Sequence, residues 1–217
     1  MARNVSQKLI FDSIIRGFEE AQEKYEKMAG GWWLGHAPEY FLTSKVAETI
    51  AEDTDLFVTL EHGISDIVCE AGIQCKGPMP KKMRNNGRAD ILIWWASDYP
   101  RAIVEVKNNV FSINKLKCDI DRIDKLLKKN GTSGKLQFGC LAFHTCAASN
   151  SRNKKATEIL SQRIKIFYEN LKNRFDGTYR ISKHSTDLSK FSKLDEAWVG
   201  VCFGFHPLRC KEETLMD

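Results

Sequence analysis

Apolar side chains recur every three or four residues in several long stretches of the chain, the spacing that places them on one face of an α-helix. Gly30 and Gly31 end the first stretch, and Pro38 opens the second, because proline is tolerated in the first turn of a helix. A shorter segment before Gly72 also has helical character. The pattern therefore predicts helices over residues 4–29, 38–53, 63–71, 113–129 and 152–174.

Other apolar stretches are shorter and are bounded by turn residues, which is typical of β-strands. Two of them, ADILIWW and RAIVEVKN, are separated by residues 96–99 and Pro100, so they predict a β-hairpin. The predicted strands cover residues 57–60, 89–95, 101–108, 136–147 and 197–205. Strands interleaved with helices predict an α/β fold in which a central mixed β-sheet is flanked by helices.

The length of 217 residues fits a single domain, 1–217, with one substantial core. An N-terminal helix falls within residues 1–31, the central core within 38–147, and a basic helix with a last strand within 151–217 completes the domain. No stretch approaches the roughly 18 to 20 apolar residues needed to cross a bilayer, and the N-terminus lacks the hydrophobic core of a secretory signal. We therefore expect a cytoplasmic protein without a membrane partner.

The seven cysteines and the net charge give limited information on which metals or partners the protein binds. An odd number of widely spaced cysteines predicts reduced thiols, and the lack of a C-x2-C pair argues against structural zinc. The charge of +5 suits a protein that approaches polyanions but does not require one. The local distribution is more informative, because Lys81, Lys82, Arg84 and Arg88 lead directly into the predicted hairpin.

The register of this hairpin brings two carboxylates together. With a loop of residues 96–99, Trp95 faces Pro100, and Asp90 then falls directly opposite Glu105. Opposite residues on one face have Cβ atoms about 5 Å apart. Lys107 lies two residues after Glu105, so its side chain points to the same face.

Such a cluster is unfavourable unless a cation balances it. Two carboxylates about 4 Å apart repel each other by roughly 4 kcal/mol at an effective dielectric constant near 20. A divalent cation removes the conflict, and oxygen ligands favour Mg²⁺ or Mn²⁺. The alternative is a surface strand whose charges point to water, but both strands are apolar enough to be central in a sheet, where buried charges need a reason.

The segments GRADILIWW and RAIVEVKN resemble the PD-(D/E)xK phosphodiesterase superfamily, which includes restriction endonucleases and DNA-repair nucleases. The resemblance implies a restriction-endonuclease-like core of a helix, a mixed four-stranded sheet and a second helix. It implies that Asp90 and Glu105 bind the metal and that Lys107 positions or activates the attacking water. Arg88 and Ala89 stand where the superfamily name has its proline, and the Q-x-x-x-Y motif of some members is absent from the helix after Lys107.

Members of the superfamily often add a glutamate from the first core helix, which here is Glu39 or Glu48. At 100° per residue, Glu39 falls on the stripe of Leu42, Val46 and Ile50, whereas Glu48 falls on the far side. We therefore assign Glu39 to the site, as a further metal-binding residue. The alternative for Glu39 is a first-turn acid that only stabilises the helix dipole.

The resemblance implies a metal-dependent nuclease that hydrolyses phosphodiester bonds, with DNA favoured over RNA as substrate. A role in host defence or in a mobile element, and a homodimer or a regulatory protein partner, are compatible with it. The alternative is a non-catalytic module that binds nucleic acid or protein and has kept the nuclease fold. Lys115, Lys117 and Arg122 on the following helix are expected to be solvated rather than to contact phosphate. The four tryptophans could stack on bases, but we expect them to pack in the core or to cover the edge of the sheet: Trp32, Trp33, Trp94 and Trp95.

Overall fold

The computed structural model describes residues 5–73, 87–130, 134–149, 154–188, 192–193 and 195–208. These residues fold around a mixed β-sheet whose strands lie in the order β1-β2-β3-β4-β7-β5, with the two-residue β6 pairing with β7. Strands β3 and β4 are parallel, and the other neighbouring strands are antiparallel. The strands are β1 (Val58–Gly63), β2 (Arg88–Trp94), β3 (Pro100–Lys107), β4 (Phe138–Ala148), β5 (Tyr179–Ser185), β6 (Ser192–Lys193) and β7 (Glu196–Pro207).

Helices cover both faces of the sheet, which confirms the predicted α/β class. They are α1 (Gln7–Met28), α2 (Glu39–Thr54), α3 (Ile64–Glu70), α4 (Lys117–Asn130) and α5 (Ala156–Arg174). Apolar residues of α1 and α2 form one buried cluster with the sheet, and those of α3, α4 and α5 form another on the opposite face. No helix in the described ranges is long and apolar enough to cross a membrane.

The helical phase predicted for α2 is confirmed. Leu42, Val46 and Ile50 are fully buried against the sheet, whereas Glu48 is exposed. Helix α2 begins after Pro38, whose own backbone is extended, so the proline precedes the first turn rather than lying in it. A 3₁₀ turn at Leu34–His36 connects α1 to this point.

The predicted hairpin register is confirmed over its centre. Ile91 pairs with Val104, Leu92 with Ile103 and Ile93 with Ala102, and the same register places Asp90 opposite Glu105. At the turn the register shifts by one residue, because Trp94 rather than Trp95 pairs with Pro100. Both strands are central in the sheet, since β2 lies between β1 and β3, and β3 lies between β2 and β4.

Several sequence predictions were wrong in detail. Phe57 precedes β1, which extends to Gly63 instead of ending at residue 60. The helix predicted from residue 113 begins as a 3₁₀ turn and becomes α-helical only at Lys117. Strand β5 was missed, because it lies at the edge of the sheet and alternates only Tyr179 and Ile181 as buried positions among polar ones. Lys81, Lys82 and Arg84 lie outside the described residues.

Candidate active site

Asp90 and Glu105 project from adjacent strands on the sheet face that α4 covers. Leu92 and Ile103, which alternate with them along β2 and β3, pack in the cluster containing α4. The Asp90 Oδ2 atom accepts a hydrogen bond from the Val106 N–H at 2.7 Å. The Asp90 carboxylate therefore also joins the two strands, a structural contact that the sequence pattern did not reveal.

Lys107, at the end of β3, lies at the centre of the cluster. Its Nζ atom is 2.8 Å from Glu39 Oε1 and 3.9 Å from Asp90 Oδ2. It is also 3.9 Å from an oxygen of Asp119, and it donates to the Val106 carbonyl at 3.2 Å. The structure thus brings Glu39, Asp90 and Lys107 together, as the sequence predicted.

Glu39 reaches this cluster from the first turn of α2. Its Oε2 atom accepts the Asn108 N–H at 3.0 Å, while Oε1 accepts from Lys107. The Asn108 side chain donates to the carbonyls of Leu34 and Ala37 at 2.9 and 2.8 Å, so it ties the end of β3 to the connector before α2. Asn108 is therefore a positioning residue, because it fixes the helix end from which Glu39 projects.

The structure adds two residues that the sequence analysis did not assign to the site, Asp119 and Arg122 on α4. The Arg122 guanidinium contacts the Glu105 carboxylate directly and lies 3.6 Å from Asp119 Oδ1. The expectation that Arg122 is solvated was wrong. Asp119 could have been recognised, because it occupies the helical stripe of Ile123 and Leu126, where a carboxylate is out of place.

Glu105 is fully buried, and this determines its electrostatics. Burial raises the pKa of the Glu105 carboxyl well above its ordinary value, with the positive charge of Arg122 opposing and the negative charges of Asp90 and Asp119 reinforcing the shift. Its Oε1 atom has no hydrogen-bond partner among the described residues, and neither has Asp119 Oδ2. Two buried carboxylate oxygens in one cluster are thus left without a donor.

Lys107 and Asp119 respond differently to the same surroundings. Burial opposes the charged form of Lys107, but its hydrogen bond to Glu39 and the charges of nearby carboxylates outweigh burial, so the pKa of Lys107 is raised. Burial also raises the pKa of Asp119, although Lys107 and Arg122 act against it. Lys107 is therefore held as an ammonium, a donor rather than a base.

The cluster has four carboxylates, Glu39, Asp90, Glu105 and Asp119, and two cations, Lys107 and Arg122, so its formal charge is 2 − 4 = −2. A divalent cation would balance that charge, and an all-oxygen donor set with two unpartnered oxygens fits Mg²⁺ or Mn²⁺. In the observed arrangement, however, no three His, Cys, Asp or Glu side chains of the described chain are grouped as metal ligands. Arg122 instead occupies the space between Glu105 and Asp119.

The other residues considered have structural contacts. Lys115 donates to the carbonyls of Asn108 and Asn109 at 2.7 and 3.2 Å. Trp94 donates to Thr59, and the guanidinium of Arg101 stacks on the Trp95 ring at 4.1 Å, so both rings serve packing as expected. Trp32 differs, because 59% of its surface is exposed. The cysteines within the described ranges are unpaired.

Comparison of the chain with protein-family models, with curated proteins and with solved structures gave no match. The interpretation of the cluster therefore depends on its own chemistry.

Proposed function

We propose that this protein is a Mg²⁺- or Mn²⁺-dependent nuclease that hydrolyses phosphodiester bonds in DNA. The observation that carries the proposal is the position of the Lys107 ammonium, which contacts Glu39 and lies within 4 Å of Asp90 and Asp119. Two buried carboxylate oxygens of the same cluster, Glu105 Oε1 and Asp119 Oδ2, have no donor among the described residues. Unsatisfied buried polar atoms are costly, so a bound cation that these oxygens could ligate would stabilise the cluster.

Asp90, Glu105 and Asp119 are the residues that would hold the cation. Glu39, which the sequence analysis assigned to the metal, is given another role here, because both of its carboxylate oxygens already accept hydrogen bonds from Lys107 and Asn108. When bound, it would offset their negative charge and supply Lewis-acid polarisation of the scissile phosphate. Arg122 must then release Glu105, and its 28% exposed side chain has access to solvent for this movement. Once released, the guanidinium is available to a phosphate oxygen, for which its planar donors are well suited.

Lys107 stabilises and orients rather than deprotonates. Since its pKa is raised, it stays protonated near neutral pH and donates to the attacking water or to a phosphoryl oxygen that gains charge in the transition state. Glu39 is hydrogen-bonded to the same ammonium, and its carboxylate is 41% exposed. In hydrolysis the water oxygen bonds to phosphorus and Glu39 accepts the proton released by the water. The bond to the leaving oxygen breaks, and that oxygen takes a proton from a solvent water.

A second function has one observation in its favour. The contact between Arg122 and Glu105 already neutralises the most buried carboxylate, as in a cluster that needs no metal. A non-catalytic module that binds nucleic acid or protein would have this property.

The nuclease proposal has three further parts: a cytoplasmic location, homodimerisation or control by a protein partner, and a role in host defence or in a mobile element. The unpaired cysteines agree with the first of these, because thiols stay reduced in the cytoplasm.

Cleavage assays separate the two functions. The purified protein is incubated with supercoiled plasmid, linear duplex, single-stranded DNA and RNA in Mg²⁺, Mn²⁺ or EDTA. The nuclease proposal requires cleavage of DNA that depends on the metal and is lost in a Lys107→Ala variant. Binding of nucleic acid without cleavage in either metal would instead favour the module.

A further inference from the structure

A cleft of about 550 Å³ lies beside the candidate active site. Its size falls within the roughly 300–1,000 Å³ of small-ligand sites. The connector between α1 and α2 contributes Trp32 and His36, the segment after β3 contributes Asn109 and Phe111, and the end of β4 contributes Cys146. The cleft is thus formed by separate segments of the chain that meet next to Lys107.

Two of the aromatic rings in this cleft are exposed. Trp32 is 59% and Phe111 is 54% exposed, although rings of this size usually bury most of their area. The Trp32 ring meets the His36 ring edge to face, with centroids 4.5 Å apart. Exposed aromatic rings lining one cleft are the feature on which unpaired bases stack.

The cleft is joined to the candidate active site by two consecutive residues. The Asn108 N–H is bonded to Glu39, and Asn109 lines the cleft. Asn109 is two residues from Lys107, which corresponds to at most about 7 Å of extended chain. Stacked nucleotides rise about 3.4 Å each along a strand, so this backbone spacing corresponds to about two nucleotides.

Polar groups in and around the cleft suit a base with its phosphate outside. Asn109, held at φ 58°, offers an amide that can bond to a base edge. The Glu196 carboxylate lines the cleft and would repel a phosphate but accept from an exocyclic amine. Below the rim, the guanidinium of Arg163 lies 5.4 Å from the Phe111 ring, and the Lys115 ammonium is bound at the Asn108 carbonyl.

A buried polar side chain also lies against this cleft. His144 is fully buried, and neither ring nitrogen has a hydrogen-bond partner among the described residues. A Cβ atom on the cleft residue Gly35 would lie 3.4 Å from the His144 ring and 3.6 Å from Asn109 Oδ1. The lack of a side chain at Gly35 therefore keeps the space next to these polar groups open.

We infer that the cleft binds an unpaired nucleobase by stacking it on Trp32 and Phe111, next to the phosphate held at Lys107. The substrate class is then a nucleic acid that is single-stranded or has an unpaired base at the cleavage point. This inference rests on the proposed function only for the nature of the neighbouring phosphate. An apolar peptide would make no use of the Asn109 amide or of Glu196 in the cleft.

Binding is measured with the wild-type protein as the parent in EDTA, so that metal-dependent cleavage plays no part. Fluorescence anisotropy compares a labelled single strand, the same sequence as a blunt duplex, and the duplex with one unpaired base. Trp32→Ala and Phe111→Ala should each weaken binding of the single strand and of the unpaired base by about 5- to 100-fold, the range for loss of one stacked base. Binding of the blunt duplex should be unchanged.

Phe57→Ala is the matched control, because Phe57 is 67% exposed and does not line the cleft. It should bind all three substrates like its parent, and thermal unfolding of each variant establishes that the fold is retained. Equal affinity of parent and Trp32→Ala for the single strand, or no binding of any oligonucleotide, would overturn the inference. A change in oligomeric state on Trp32→Ala with unaltered oligonucleotide binding would assign the cleft to a second copy instead.

The two proposals fail separately. If the wild-type protein cleaves nothing but its Trp32→Ala variant loses single-strand binding, the nuclease proposal is wrong and the base site stands. If cleavage depends on metal but is insensitive to Trp32 and Phe111 and equal on blunt duplex, the base site is wrong and the nuclease proposal stands.

Discussion

The Lys107 Nζ atom lies 2.8 Å from Glu39 Oε1, although 68 residues of sequence separate them. This contact joins the end of the central strand β3 to the first turn of α2, which packs on the face of the sheet opposite to α4. The N-terminus of α2 can meet the end of β3 because both lie at the same end of the sheet. The remaining members of the cluster gather around this ion pair.

Replacing Lys107 with alanine should abolish most cleavage while leaving the fold intact. The ammonium is placed to stabilise developing charge, and loss of one such group costs of order 10²-fold or more in rate. Nucleic-acid affinity should change little, because affinity comes from many phosphate contacts. Single-turnover rates and anisotropy measure the two quantities. The exposed Lys117, at the start of α4, provides the control, and equal rates for Lys107→Ala and Lys117→Ala would exclude the assigned role.

Two glutamates of the same helix form a matched pair. Glu39→Gln removes the negative charge that faces Lys107, whereas Glu48→Gln changes an exposed acid whose ion pair is with Lys45 at 3.0 Å. We expect a loss of activity of about 10-fold or more for the first and no change for the second, on the scale of general acid–base groups. The rates are compared at saturating Mg²⁺. A larger effect at Glu48 would contradict the geometry of the site.

Arg122→Gln should make stability depend on metal. Removing one partner of a buried ion pair costs about 3–5 kcal/mol, because it leaves the Glu105 charge uncompensated. Mg²⁺ should recover much of this loss and should bind the variant more tightly than the wild type, since the competing guanidinium is gone. Denaturant unfolding with and without Mg²⁺ measures both effects. Arg174→Gln, at a surface pair with Asp121, is the control and should lose no more than about 1 kcal/mol.

Asp90 has two roles that different substitutions can separate. Asp90→Asn keeps an oxygen that can accept the Val106 N–H, so metal-free stability should change by less than about 1 kcal/mol. Asp90→Ala leaves that N–H without its acceptor and should cost about 1–3 kcal/mol. Both variants should lose Mg²⁺-dependent stabilisation, measured by calorimetry. If Asp90→Asn retains it, Asp90 is a structural residue only.

The buried His144 predicts the response of stability to acid. Burial lowers the pKa of His144 to about 3, so between about pH 6.5 and that value the unfolded chain binds a proton that the folded chain does not. The contribution of His144 to stability should therefore fall by about 1.4 kcal/mol for each pH unit below about 6.5. His144→Gln should reduce that slope between about pH 6 and pH 5, relative to wild type. Equal slopes in chemical denaturation would show that His144 is solvated.

Glu105 also contributes to the pH dependence of stability, in the direction opposite to that of His144. The pKa of Glu105 is raised, so at pH values above the ordinary pKa of glutamate the folded chain binds more protons than the unfolded chain. This group therefore lowers stability as pH rises. Because Glu105 is common to wild type and His144→Gln, its contribution cancels in the difference.

Local pattern determined much of the fold. Alternation along β2 and β3 fixed which residues share a face, and the short turn fixed their register, so the opposition of Asp90 and Glu105 followed from the sequence. The helical period of α2 likewise distinguished Glu39 from Glu48. These features depend on neighbours within a few residues, which is why periodicity alone reveals them.

Only the tertiary structure decided the contacts made across elements. The pairing of Arg122 with Glu105, the inclusion of Asp119, and the hydrogen bond from Val106 to Asp90 depend on how α4 packs on β3 and how the strands end. The cleft likewise arises where the α1–α2 connector meets the ends of β3 and β4. No local period encodes such meetings, because they are set by the burial of both sheet faces and by the lengths of the connections. The sequence by itself determined which charged residues lie on the central strands and in the first turn of α2, and packing determined which of them touch.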